Sequence, residues 1–181
     1  MDKKLANART DRILWVDLEM TGLDADKDVI LEVAAIVTDW KFTELATFET
    51  VIKQSDEVLK NMNPWCVQQH GTSGLTEHSR ASKVSQKQAE TQLLAFVDEH
   101  FEKDKPVLLA GNSIHIDRRF VTAQWPRLDA RLHYRMLDVS AWKVVFEGKF
   151  GKKFAKPQDH RALGDIRGSI MELQYYLGKL K

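Results

Sequence analysis

Apolar residues run unbroken from Ile13 to Val16 and then alternate with acids through Asp17, Leu18, Glu19 and Met20, before Thr21 and Gly22. The pattern predicts a strand ending in a turn. On a strand, successive side chains alternate between faces, so Asp17 and Glu19 share one face and Leu18 points to the other. Leu23 to Asp28 carries three Asp and reads as a turn. Val29 to Val37 is a second apolar run, interrupted only by Glu32, which would face solvent or pair. Ala46 to Ile52 is a third strand, completing an antiparallel meander.

The period then changes. Asn63-Pro64-Trp65 reads as a helix start, with Pro suited to the first turn, and Gly71 and Gly74 break the pattern. Ala89, Leu93, Phe96, Val97 and Phe101 recur at helical spacing, and Pro106 closes that region. Val107 to Asn112 reads as a short buried strand, Ile116 to Trp125 as a helix, and Arg135 to Val139 as a fifth strand. Ala141 to Phe146 continues as a helix. Gly148 to Pro157 is lysine-rich and expected to be a mobile loop. A last helix from about Arg161 to Leu180 carries Ile166, Ile170, Leu173, Tyr176 and Leu177 as its apolar stripe. Strands first, then strands alternating with helices, imply an α/β domain with a mixed sheet, antiparallel early and parallel later.

The chemistry starts at Asp17 and Glu19. Two neighbouring carboxylates on a buried strand repel, and burying their charge is costly. A divalent cation between them answers both problems, since hard cations take carboxylate oxygens. The alternative is an exposed edge strand with solvated acids. Asp117 follows the strand-turn Leu109-Ala110-Gly111-Asn112-Ser113, where sites are built in α/β sheets. Taken alone it is a helix N-terminal acid complementing the dipole. Asp165 follows His160-Arg161-Ala162-Leu163-Gly164. On one ideal helix His160 and Asp165 would not share a face, so His160 serves the same site only from the loop before the helix. Asp138 is adequately explained as a helix cap.

These pieces together resemble a known family. Asp17-x-Glu19-x-Thr21-Gly22, Gly111-Asn112-Ser113-x-x-x-Asp117 and His160-Arg161-Ala162-x-x-Asp165 are similar, in order and spacing, to the three motifs of the DEDD 3′–5′ exonucleases in their His-containing branch. Within that branch, Trp15 to Leu23, Asp117-Arg118-Arg119-Phe120 and His133-Tyr134-Arg135 before Leu137-Asp138-Val139-Ser140 most resemble the oligoribonucleases, over nearly the whole chain. The resemblance implies a ribonuclease H-like exonuclease fold, a mixed central sheet flanked by helices, as one domain over residues 1–181. It implies that Asp17, Glu19, Asp117 and Asp165 hold two Mg²⁺ or Mn²⁺ ions and that His160 is the general base. It further implies that Leu18 and Trp65 meet the bases, that His70, Ser113, Arg135 and Ser140 grip phosphate, and that Tyr134 comes from a partner subunit. The expected activity is 3′-to-5′ removal of residues from very short single-stranded RNA, dinucleotides included. The rivals are a proofreading or tRNA-trimming exonuclease on longer strands and a non-catalytic nucleic-acid-binding module. The family is dimeric, and Trp125, Tyr134, Trp142 and Phe146 would supply an interface. Otherwise Trp40, Trp125 and Trp142 read as packing.

Composition narrows the setting. A 181-residue chain with 43% hydrophobic and 29% charged residues is an ordinary globular protein. No apolar run is long enough to span a membrane, and Met1-Asp2-Lys3-Lys4 heads no apolar stretch, so neither a membrane segment nor a signal peptide is expected. The single cysteine, Cys66, allows no internal disulfide and suits a reducing cytoplasm. In the apolar context Pro64-Trp65-Cys66-Val67 it reads as a small buried residue rather than a nucleophile. Net charge is +1, yet residues 118–161 hold eleven Lys/Arg against four Asp/Glu, so the remainder sums to −6. A basic half facing an acidic, metal-binding half suits a phosphate-bearing substrate. The near-neutral total argues against tracking along a long nucleic acid.

Overall fold

The computed structural model describes residues 11–155 and 161–180. Its described strands are β1 (Arg12–Met20), β2 (Ile30–Asp39), β3 (Glu44–Val51), β4 (Val107–Gly111) and β5 (Leu132–Asp138). They form one sheet in the order β3-β2-β1-β4-β5. β1 pairs antiparallel with β2, and β2 with β3; β1 and β5 lie parallel to β4. The helices are α1 (Asp56–Lys60), α2 (Pro64–Thr72), α3 (Leu75–Ala81), α4 (Gln86–His100), α5 (His115–Gln124), α6 (Pro126–Asp129), α7 (Val139–Phe150) and α8 (Ala162–Leu177).

β1 divides the interior by residue parity. Leu14, Val16, Leu18 and Met20 pack into a core with Leu93 and Val97 of α4 and Phe120 and Val121 of α5. Ile13 and Trp15 pack on the opposite face against Ala162, Ile166, Ile170 and Leu173 of α8 and Val139 of α7. Each such fully buried aliphatic contributes about 1.5–3 kcal/mol. Asp17 and Glu19 continue the odd-numbered face, so they point to the side that α8 covers. The Trp15 indole N–H, itself buried, donates to Thr38 Oγ1 at 2.9 Å.

Local chemistry sets the boundaries. Asn63 caps α2 by accepting from the Cys66 amide at 2.9 Å, with Pro64 in the first turn. Ser85 and Gln88 form a reciprocal capping box at the start of α4. Gly111 ends β4 where a β-carbon would lie 2.9 Å from the Val16 carbonyl oxygen and 2.7 Å from Ile114 Cδ1. Only a residue without a side chain lets β4 end this close to β1.

Several boundaries differ from expectation. Gly71 lies inside α2, while Gly74, at φ 77°, starts α3. α7 begins at Val139 and runs through Gly148 to Phe150, ending at Gly151 with φ 60°, so the lysine-rich stretch is helical in its first three residues. β5 begins three residues earlier than Arg135, because His133 and Tyr134 give an edge strand without the alternation that marks a half-buried one. Trp125 is 1% exposed and belongs to the core, which removes it from any interface. Trp40, read as packing, is half exposed. Cys66 is buried as expected, and the Asn63 side-chain amide donates to its sulfur at 3.2 Å. Among the described residues, no helix is long and apolar enough to cross a membrane.

Candidate active site

The acids converge where β1 ends. Asp17, Glu19 and Asp165 each offer a carboxylate oxygen within 4.8 Å of the others. Sheet and helix contribute independently: β1 presents the first two on one face, and the first turn of α8 brings the third onto it. The β1–β2 register slips between Glu19 and Met20, as sheets commonly do beside functional sites. Asp117, in the first turn of α5, is 6% exposed and near enough for its charge to raise the Glu19 pKa. Its Oδ1 accepts from the Leu18 amide at 2.9 Å, so the helix acid holds the strand between the two strand acids.

The electrostatics are those of a site short of positive charge. Burial, then the nearby Glu32, Asp165 and Asp117 carboxylates, push Glu19 up to about 7. Burial likewise raises Asp117. Three oxygen donors facing one another at that separation make a hard-cation site, which points to dependence on a divalent metal. A solvated edge is ruled out, since β1 is the central strand.

His160 lies outside the described residues. α8 begins at Ala162, with Arg161 as its N-cap. His70 is 2% exposed, and its Nε2 donates to the Met20 carbonyl at 2.8 Å. Its Nδ1 faces Glu19 Oε2 at 3.9 Å, and burial lowers its pKa. Leu18 is 5% exposed and belongs to the core. Trp65, in contrast, is 67% exposed at the start of α2.

Ser113 and Ser140 meet at the far end of β4. Ser113 adopts φ 53°, a left-handed conformation unusual for a side-chain-bearing residue. Its amide donates to Asp138 Oδ1 at 3.0 Å and to Ser140 Oγ at 2.8 Å. Ser140 donates its single hydroxyl proton to Asn112 Oδ1 at 2.5 Å, so the 2.8 Å contact between the two hydroxyls is donated by Ser113. Asn112 in turn donates to Glu172 at 3.1 Å, and Glu172 accepts from the Tyr176 hydroxyl at 2.9 Å. Both serine protons are thus engaged within the protein. Asp138 caps α7 as expected, accepting from the Ser140 amide at 2.9 Å. Tyr134 is 56% exposed, stacks on His133 at 4.6 Å and lies under the Arg135 guanidinium at 5.2 Å.

One acid and one cation of the neighbourhood stand outside the residues singled out for the site. Glu32 is fully buried, opposite Glu19 in the β-ladder, and Arg161 Nη2 donates to it at 2.8 Å. The available signal was a lone Glu in an otherwise apolar strand, because a buried charge demands a partner.

Residues 14–173 match the exonuclease family RNase_T, which sets the class to which this sheet and its acids belong. An oligoribonuclease of Corynebacterium efficiens is 49% identical over 174 residues, covering 93% of this chain and 79% of that protein. An oligoribonuclease of Francisella tularensis is 47% identical over 173 residues, covering 94% and 96%. The chain belongs to the oligoribonuclease family. In three dimensions it is similar to E. coli exonuclease I bound to single-stranded DNA (TM-score 0.71, 15% identity, 94% of this chain). It is also similar to exonuclease I of Methylocaldum szegediense (TM-score 0.70, 16% identity, 93% of this chain). The chain spans about two-fifths of the length of these two structures, and the likeness shows the ribonuclease H-like fold alone.

Proposed function

We propose that this chain is a single-domain 3′-to-5′ exoribonuclease that hydrolyses short single-stranded oligoribonucleotides, dinucleotides included, to nucleoside 5′-monophosphates. The carrying observation is the meeting of Asp17, Glu19 and Asp165 within 4.8 Å, with Asp117 bound to the Leu18 amide between the two strand acids, in a chain of this family. Those four carboxylates would hold two divalent ions, Mg²⁺ or Mn²⁺. When bound, such ions lower the pKa of water and stabilise a leaving oxygen. The donor set fits: all ligands are hard oxygens, and burial with the neighbouring acids raises the Glu19 carboxyl to about 7, a repulsion that a bound cation would relieve.

His160 takes the proton from the attacking water, its ordinary pKa being close to neutral. The new P–O bond forms as the bond to the 3′ oxygen of the preceding nucleotide breaks. Trp65 offers an exposed ring on which any base stacks. Arg135 pairs with a phosphate, and Ser113 turns its hydroxyl proton from Ser140 to a phosphate oxygen. Leu18 and His70 contribute from below, as the packed floor of the site. A homodimer would form through the α7 face, where Trp142, Val145 and Phe150 join Leu180 in an apolar groove, and would bring Tyr134 to a partner's site. We place the enzyme in the cytoplasm.

The test incubates the protein with a 5′-labelled ribodinucleotide, a seven-residue RNA and a matched DNA, with Mn²⁺ or Mg²⁺ and a chelator control. Metal-dependent cleavage of the dinucleotide faster than of the seven-mer is the expected result. Cleavage of the longer strands alone would make the protein a general exonuclease. No cleavage would leave a binding module.

A further inference from the structure

Glu32 and Arg161 have no part in the chemistry just described, yet they occupy its border. Glu32 lies directly opposite Glu19 on β2, where like charges repel across strands. It is 0% exposed, and its Oε2 has no hydrogen-bond partner among the described residues. Its Oε1 accepts from Arg161 Nη2 at 2.8 Å, and the same nitrogen lies 3.6 Å from Glu49 Oε1 on β3. Arg161 thus ties two strands together from a single point. That point is the N-cap of α8, and the Arg161 carbonyl accepts from the Asp165 amide at 2.9 Å. The Arg161 backbone is therefore one helical turn from Asp165, while its guanidinium is anchored to Glu32 and Glu49 on the neighbouring strands.

We propose that Glu32, Arg161 and Glu49 form a positioning clamp that fixes the first turn of α8 on the sheet and so sets the Asp165 carboxylate against Asp17 and Glu19. The inference rests on the proposed metal-dependent function and deepens it. Arg161 suits the task because a planar guanidinium engages two carboxylates at once, which a lysine does less well. The buried Glu32 earns its place as the anchor: without Arg161 it would be an uncompensated buried charge, and the helix would lose its tie to β2 and β3.

The direction of the effect on metal affinity distinguishes positioning from bulk electrostatics. Arg161 is a cation near a cation site, so charge alone predicts that its removal tightens metal binding. A clamp predicts the reverse. Partners that orient metal ligands typically contribute 10–100-fold in affinity. The experiment is calorimetric titration of Mn²⁺ into the metal-free natural chain, Arg161→Ala, Arg161→Lys and Glu32→Gln. Melting curves would check folding, and rate against Mn²⁺ concentration would be measured on the dinucleotide. We expect Mn²⁺ binding weakened about tenfold in Arg161→Ala, partly restored in Arg161→Lys, and the kcat of Arg161→Ala recovering at high Mn²⁺. A role only in stability would lower the melting temperature without moving the Mn²⁺ midpoint. Unchanged or tighter Mn²⁺ binding in folded Arg161→Ala overturns the clamp. Should that variant fail to fold, Arg161→Lys carries the same test, weaker binding supporting the clamp and unchanged binding overturning it. A natural chain that binds Mn²⁺ but leaves every oligonucleotide intact refutes the proposed reaction, and the titrations still decide the clamp. A natural chain that binds no Mn²⁺ refutes both.

Discussion

Glu19 makes the cost of gathering these acids measurable. Its carboxyl is held at about 7 instead of the ordinary 4.5, first by burial and then by Glu32, Asp165 and Asp117. At 1.36 kcal/mol per pKa unit, that difference corresponds to about 3 kcal/mol. The side chain is 21% exposed, so solvent screens it little. The folded state holds this proton more tightly than the unfolded state. Below about pH 4.5 the penalty is therefore absent; it grows as pH rises toward 7 and is complete above it. Between pH 5.5 and 8 the metal-free protein loses about 2 kcal/mol through this group. Glu19→Gln keeps the shape and removes the charge. In chelator, urea unfolding at pH 8 should find the variant more stable than the natural chain by about 3 kcal/mol, with the gap closing toward pH 5. Saturating Mn²⁺ should reverse the order, because only the natural chain gains a ligand by binding it. If the two proteins keep parallel stability profiles across this pH range in chelator, the repulsion argument is wrong.

His160→Ala should lower the rate about 10²-fold or more while leaving Mn²⁺ affinity unchanged, because a positioned base contributes on that scale; retained activity would take His160 out of the base role. Asp17→Ala, by contrast, should lose both activity and Mn²⁺ binding in the same calorimetric and cleavage assays. Trp65→Ala should raise KM for the dinucleotide about tenfold, as stacking on one base is worth about 1–3 kcal/mol. Its melting temperature should barely move, the ring being 67% exposed, and an unchanged KM would show that no base rests there.

The sequence made the acids legible because two short-range signals coincided. Apolar runs located β1, β2 and β4, and period-two alternation put Asp17 and Glu19 on one face without reference to any other element. Asp165 at the start of a helix was readable from position alone, but its meeting with β1 is a tertiary event that the motif resemblance supplied. Other features were hidden for definite reasons. The helices α1, α3 and α6 are seven residues or shorter, too short to show a period. The Asn112–Glu172 contact joins residues 60 positions apart, and nothing local to Glu172 distinguishes a buried carboxylate from a solvated one on a helix. His70 read as a phosphate ligand only through the family resemblance; its contact with the Met20 carbonyl depends on how α2 packs, which sequence spacing does not encode.

The parity of β1 has a consequence for how such a chain can change over time. Even positions feed one core and odd positions the other, and the odd series ends in the two acids. The strand therefore behaves like a reading frame. One residue inserted between Ile13 and Asp17 would send both carboxylates into the Leu- and Val-lined core and turn Leu18 toward α8. Two residues inserted would restore the faces but carry the acids past the turn of α8 that meets them. A point substitution along β1 alters one side chain, whereas a change in its length moves every side chain beyond it. The turn at 40–43 between β2 and β3 is under no such constraint, and divergence in length within this lineage should collect there, on the edge of the sheet away from the acids.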